Sequence, residues 1–345
     1  MPIRLLLLLF AAILCFGCTA QTSKLPDPVR VYIDSSLTIL KQNSLYGKKV
    51  DWVEVEKEVY AKAAGSQTTE DAFDALVIAF EATGDKHAGY YSGNKKFQIP
   101  HTELMARYSD SLKANWAKGP RILNKMIGDV AYVNIPTMAV GRQEDIDKYA
   151  NWVYDAVSGL AKNNPKGWII DVRSNAGGNI RPMMAGLAMF FPDGIVSYYI
   201  DRDGNAIAPS GFVDGDLQME GITQASIKNK VPSLKDAKIA VLIGPGTASS
   251  GEGVASNFRQ RKNSRLFGQD TGGFANSTLG FTFNNSQTYF LISTHYIGDK
   301  NKKPLAEFIV PHEKVTGMEA YSELEKDNSV QAAIRWIKDD GTKSK

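Results

Sequence analysis

The apolar run Ile239-Ala240-Val241-Leu242-Ile243 leads through a tight Gly/Pro turn into Gly246-Thr247-Ala248-Ser249-Ser250-Gly251-Glu252, with Val254, Ala255 and Phe258 behind it. This predicts a buried strand, a sharp turn and then a helix. Few folds accommodate that unit; an α/β core does. A serine at the turn sits where the first amide N–H groups of a helix have no intrahelical partner. Those groups and the positive helix end favour developing negative charge. One turn can therefore present a nucleophile and part of an oxyanion hole.

The rest of the chain agrees with an α/β class. Asp129–Ile135 alternates like a strand, Gln143–Leu160 reads as a helix and Gly167–Val172 as a buried strand. Asn179–Phe191 reads as a helix and Ile195–Ile200 as another strand. Such alternation predicts a mainly parallel sheet with crossover helices. Thr278–Phe283 and Gln287–Ser293 predict an added hairpin, and Ser329–Ile337 a final amphipathic helix. Before this core, Asp27-Pro28, Asp51-Trp52-Val53-Glu54 and the Thr68/Asp71 pair read as helix starts. They predict a small helical module ending at Gly84-Asp85-Lys86-His87-Ala88-Gly89-Tyr90. Residues 201–230, rich in Gly, Asp and Asn, read as a long surface insertion near the site.

Arg4 followed by the apolar run Leu5–Phe16 reads as an export signal, too short for a membrane span. Gly17-Cys18 after it resembles a bacterial lipoprotein cleavage box, which implies a lipid on Cys18 and a place in the cell envelope. Cys15 and Cys18 are the only cysteines, so no disulfide framework or thiolate metal site is expected. A net charge of +3, without a basic stripe, argues against nucleic acid as a partner.

Three further segments carry candidate chemistry. Asp171-Val172-Arg173-Ser174-Asn175-Ala176-Gly177-Gly178 follows a buried strand, and its paired glycines allow close backbone approach to a ligand. It lacks the Gly-Lys-Ser/Thr ending of a phosphate loop. His87, one of four histidines, follows Gly84-Asp85 at a helix end; His295, at a strand end, is the second choice for a base. His101 and His312 neighbour prolines in expected surface loops. Glu307 lies in Pro304–Pro311 beside a β run.

Together these segments resemble the C-terminal processing (tail-specific) peptidase family. Asp171–Gly178 is similar to its Asp-Leu-Arg-x-Asn-x-Gly-Gly motif, and Thr247–Glu252 to its nucleophile motif. Gly128–Val133 resembles the strand opening its catalytic domain, while Val50-Asp51-Trp52 and Asp85-Lys86-His87 resemble its N-terminal helical region. Phe274 stands where members with a Ser-Lys dyad carry lysine, so the resemblance is to the tricorn-like branch with a histidine base. His87 matches that histidine and Glu307 the glutamate of the same tetrad; Lys86 stands where the tetrad has serine. The span from His87 to Gly128 is too short for the PDZ domain common in the family.

The resemblance implies a crotonase-like (ClpP/crotonase) catalytic domain with a small N-terminal helical domain before it. The expected organisation is a signal peptide over 1–17, a tether over 18–25 and a helical domain over 26–96. A connector over 97–125, a serine peptidase domain over 126–315 and a C-terminal helical segment over 316–345 follow. Ser249 is the expected nucleophile, His87 the base, Glu307 its support, and the amides of Gly178 and Ser250 the oxyanion hole. Peptides or proteins are the expected substrate, and no metal or organic cofactor is implied. The alternative is a catalytically silent peptide-binding lipoprotein on the same scaffold.

Overall fold

The computed structural model describes residues 25–339. The expected signal segment 1–17, the lipidation site Cys18 and the tether up to residue 24 lie outside the described residues, as does the end of the expected C-terminal segment.

Three helices open the fold: α1 (Asp27–Asn43), α2 (Trp52–Ala63) and α3 (Phe73–Thr83). Helix α1 buries Val29, Ile33, Leu37 and Leu40, a stripe at helical spacing. Asp51 caps α2 by accepting from the Val53 and Glu54 amides. The Asp71 carboxylate and the Thr68 hydroxyl pair with each other's local amides, but in the turn ahead of the helix, so α3 begins two residues after Asp71. A left-handed Gly84 (φ 64°) ends α3 and turns the chain toward His87.

Beyond it the chain pairs as a hairpin, β1 (Gly89–Ser92) and β2 (Lys95–Gln98). The expected boundary at residue 96 thus falls inside a strand. The expected connector is itself structured: α4 (Thr102–Ala106) and α5 (Asp110–Ala117) precede β3 (Asn124–Ile127). Next come β4 (Val130–Asn134), α6 (Gln143–Ala161), β5 (Gly167–Asp171) and α7 (Ile180–Gly186). Four strands follow: β6 (Gly194–Ile200), β7 (Ala206–Val213), β8 (Asp216–Met219) and β9 (Ile222–Thr223). The chain then runs through β10 (Ile239–Ile243), α8 (Ser250–Arg259), β11 (Ser264–Gly268), β12 (Ser277–Phe283) and β13 (Thr288–Asp299). It ends with β14 (Glu313–Lys314) and α9 (Asn328–Lys338).

These strands make two sheets. The first has the order β14-β11-β10-β5-β4-β3 and is parallel except for the β3–β4 hairpin. Every residue of β5 and β10 is buried, as expected for a sheet covered on both faces. In β4, Ala131 and Val133 face the core under α6, α7 and α8, while Val130 and Tyr132 face the core under α9.

The second sheet has the order β2-β1-β13-β6-β7-β8-β9, with β12 paired to β13. Its pairings are antiparallel. The segment β6, read as part of the alternating core, belongs here instead. Residues 201–230, expected as a surface insertion, supply β7, β8 and β9. Asp214-Gly215 and Glu220-Gly221 take positive φ at both positions, the geometry of tight hairpin turns. The N-terminal helices do not stand apart, because their core includes Tyr90, Phe290 and Ile292 of this sheet. Phe73 stacks on Tyr90 at 4.3 Å between ring centroids, and Phe80 meets Phe290 edge-on at 4.8 Å.

Candidate active site

Strands β5 and β10 are parallel neighbours, so their turns leave the same sheet edge side by side. That edge, at the carboxyl ends of parallel strands, is where open α/β sheets place their ligands. The turns interlock through backbone. Ala248 N–H donates to the Asn175 carbonyl at 2.9 Å. A Cβ on Gly246 would stand 2.5 Å from the Arg173 carbonyl oxygen, and one on Gly251 2.5 Å from that of Asn175. The Thr247 hydroxyl donates to the Val172 carbonyl and accepts from the Gly244 amide.

Below the first turn lies a buried ionic cluster. Arg173 donates to Asp171 at 2.6 Å and to Asp327 at 2.7 Å, and Tyr132 adds its hydroxyl to Asp171. Asp327 also caps α9 through the Val330 amide. The charged residues of the Asp171–Gly178 motif therefore anchor the turn. Its asparagine shapes it, accepting the Gly177 amide at 2.9 Å.

Ser249 is the N-cap of α8 at φ 52°, ψ −119°, a conformation that L residues rarely adopt. Gly177 (φ 108°) packs directly under it: a Cβ there would lie 2.7 Å from Ser249 Cβ and 3.2 Å from its Oγ. Gly178 (φ 110°) fits against the Met138 carbonyl, where a Cβ would come to 2.4 Å. The Ser250 hydroxyl donates to the Gly178 carbonyl at 2.8 Å, tying the two turns together. Gly178, Ser249 and Ser250 all line one groove of about 420 Å³, whose opposite wall comes from β6, β7 and β8.

Glu252, fully buried one turn into α8, organises the nucleophile turn. It accepts from the amides of Ser249 (2.9 Å), Gly273 (2.9 Å) and Phe274 (2.8 Å), and from the Thr271 hydroxyl. Burial pushes its carboxyl up to about 7, against the pull of those donors. Sequence reasoning assigned it no role. The signal was the Ser249-to-Glu252 spacing of a capping box.

His87 approaches from the N-terminal module. Buried Asp85 fixes its loop by accepting the His87 amide at 3.0 Å, the Ser293 amide at 2.7 Å and the Ser293 hydroxyl at 2.9 Å. The His87 ring meets the Phe274 ring edge-on at 5.4 Å. Its Nδ1 is buried without a hydrogen-bond partner among the described residues. Burial lowers the affinity of the ring for a proton, while Asp85 and the Asn276 backbone oppose this and His101 adds to it. Segment 271–276 therefore links the two halves: its amides hold Glu252 beneath Ser249, and its Phe274 and Asn276 touch His87.

Glu307 meets the same segment. Its Oε1 accepts from the Tyr46 hydroxyl at 2.6 Å and the Asn276 side chain at 3.3 Å, and its carbonyl accepts the Ala275 amide. Tyr46 and Asn276 also bond each other at 2.7 Å, and Asn276 lines the groove. Neither residue stood out in the sequence. His295 lies on β13 with its Nδ1 against the Thr294 hydroxyl at 2.8 Å. The His101 ring also meets the Phe274 ring edge-on, at 4.9 Å. His312 Nδ1 accepts the Leu266 amide at 3.0 Å.

This arrangement sits inside a known family. The model of peptidase family S41 matches residues 129–315, more than half of the chain, and the protein belongs to that family. The nisin-resistance protein of Lactococcus lactis subsp. lactis is 27% identical over 315 residues, covering 91% of this chain and 88% of that one. Among solved structures, a lipoprotein from Streptococcus agalactiae matches with a TM-score of 0.66 and 21% identity, over 91% of this chain and 98% of its own. The photosystem II D1 C-terminal processing protease matches with a TM-score of 0.57 and 12% identity, over 89% of this chain and 97% of its own. The fold is thus the crotonase-like α/β fold of these proteins, preceded by N-terminal helices.

Proposed function

We propose that the protein is an exported serine peptidase with Ser249 as nucleophile and His87 as general base. The Ser249 hydroxyl attacks a peptide carbonyl and gives its proton to His87. The amides of Gly178 and Ser250 hold the oxyanion, each such donor contributing about 3 kcal/mol to transition-state stabilisation. The imidazolium then protonates the leaving amine, and water hydrolyses the acyl-enzyme with His87 again as base. Glu307 supports this side of the site through Asn276, whose backbone favours the protonated form of His87. Family membership favours peptide substrates. The lipid on Cys18 and a cell-envelope location belong to the same reading and rest on residues 4–18.

The observation that carries the proposal is the strained backbone of Ser249 at a helix N-terminus, with a glycine packed beneath it. Such strain concentrates at functional residues. The test is labelling with a fluorophosphonate probe. Wild type should label, Ser249→Ala should not, and His87→Ala should label at least about a hundredfold more slowly. No labelling of folded wild type would favour the silent binder, for which Phe274 in the lysine position and Lys86 in the serine position speak.

A further inference from the structure

Among the described residues, the groove beside Ser249 has one charged wall residue, Arg181, and no acidic one. Arg181 is partly buried, and its Nη2 donates only to neutral oxygens, Gln143 Oε1 at 2.6 Å and the Gln224 carbonyl at 3.3 Å. Among the described residues its Nε is buried without a partner, and the side chain has no ion-pair partner. A guanidinium partly withdrawn from water and met by neutral acceptors is poised to gain from an arriving anion. A second wall residue, Asn257, has a buried Oδ1 with no donor among the described residues, while its amide nitrogen donates to the Gly253 carbonyl at 2.9 Å. The wall runs along α8 from Ser249 to Asn257, about 12 Å at 1.5 Å per residue, the reach of three to four extended residues. A neighbouring groove shares Val196 and Asn257 and carries Lys235, Arg261, Lys262 and Lys300 against Asp193 and Asp236. The local field therefore favours anions on both sides of Asn257.

We infer that Arg181 is a specificity residue that binds a carboxylate of the peptide lying in this groove, while Asn257 accepts one of its backbone N–H groups. The groove is the one in the peptidase reading, but binding requires no hydrolysis, so the two can fail separately.

The experiment uses the chain carrying Ser249→Ala, which binds without turnover. The probes are three fluorescein-labelled octapeptide pools of Ala, Ser, Leu and Val, read by fluorescence anisotropy. One pool is amidated at the C-terminus, one has a free C-terminal carboxylate, and one is amidated with a single internal Asp. At least one acidic pool should bind about tenfold tighter than the neutral pool. Whichever does so identifies the source as terminus or side chain. Adding Arg181→Gln should erase the preference, and Arg181→Lys should keep part of it, with both variants melting as the parent does. Equal affinity for all pools, no binding of any pool, or a preference that Arg181→Gln leaves intact would overturn the inference. Fluorophosphonate labelling of the protein with Ser249 intact reports on the peptidase reading independently.

Discussion

The turns after β5 and β10 leave adjacent strands, carry similar glycine content and interlock, yet they are held by opposite devices. The first rests on a buried cation shared by two buried carboxylates, Arg173 with Asp171 and Asp327. The second rests on one buried carboxylate, Glu252, surrounded by neutral N–H and O–H donors. Paired charges resist any single change of protonation at the cost of severe damage when one partner is removed. An unpaired acid with its affinity for protons raised by burial is exposed to pH in the neutral range. The architecture thus places a rigid anchor under one turn and a titrating carboxylate under the serine.

The largest effect should come from breaking the anchor. Arg173→Met strands two buried carboxylates and should cost about 3–5 kcal/mol in denaturant unfolding. Next is the contact between the turns. Gly177→Ala forces a Cβ against Ser249 at a left-handed backbone position, and should cost about 1–3 kcal/mol and abolish fluorophosphonate labelling.

Glu252→Gln sharpens the electrostatic contrast. Losing one acceptor oxygen among four donors should cost about 1–3 kcal/mol near neutral pH. The wild-type carboxyl binds its proton more tightly folded (about 7) than at its ordinary 4.5. Its contribution to stability is therefore complete below about 4.5, falls as pH rises through about 7, and is level above that. Unfolding measured across this range should show the decline in wild type and lose it in Glu252→Gln. An unchanged slope in the variant would put the pH response elsewhere.

The smallest effect is a shift in a pH profile. Burial lowers His87 below its ordinary 6.5, so its neutral, basic form appears earlier as pH rises. The rising limb of the labelling rate should have its midpoint below 6.5. The stability contribution of this histidine runs opposite to that of Glu252, rising with pH through the lowered value. Wild-type unfolding alone therefore mixes two slopes, and the variants at Glu252 and His87 separate them.

Much of this was legible in the chain. The buried runs 167–171 and 239–243 gave the parallel core because continuous apolar stretches of that length fit a sheet covered on both faces. The hairpin of β12 and β13 and the terminal helix α9 followed from local periodicity. Residues 201–230 do lie beside the site, but their strands were not legible because polar turn residues outnumber apolar ones there. Alternating side chains on strands exposed on one face carry a weaker signal. For the same reason β6 was assigned to the wrong sheet. Periodicity identifies a strand but says nothing of its partner.

The site divided along the same line. Ser249, Gly177, Gly178 and Glu252 lie within short segments whose chemistry follows from a strand, a turn and a helix start, so sequence found the turns if not the part Glu252 plays. Tyr46 and Asn276, which meet Glu307, lie 261 and 31 residues from it, and Arg173 lies 154 from Asp327. Sequence by itself determined where a serine at a strand-to-helix turn and its neighbouring glycines must occur, because tight turns admit few residue types. Only the tertiary structure decided that a loop from the N-terminal helices presses His87 onto the segment that holds Glu252. The reason is physical: packing of Tyr90 and Phe290 between helices and sheet fixes that loop, and no local rule encodes which distant surfaces bury one another.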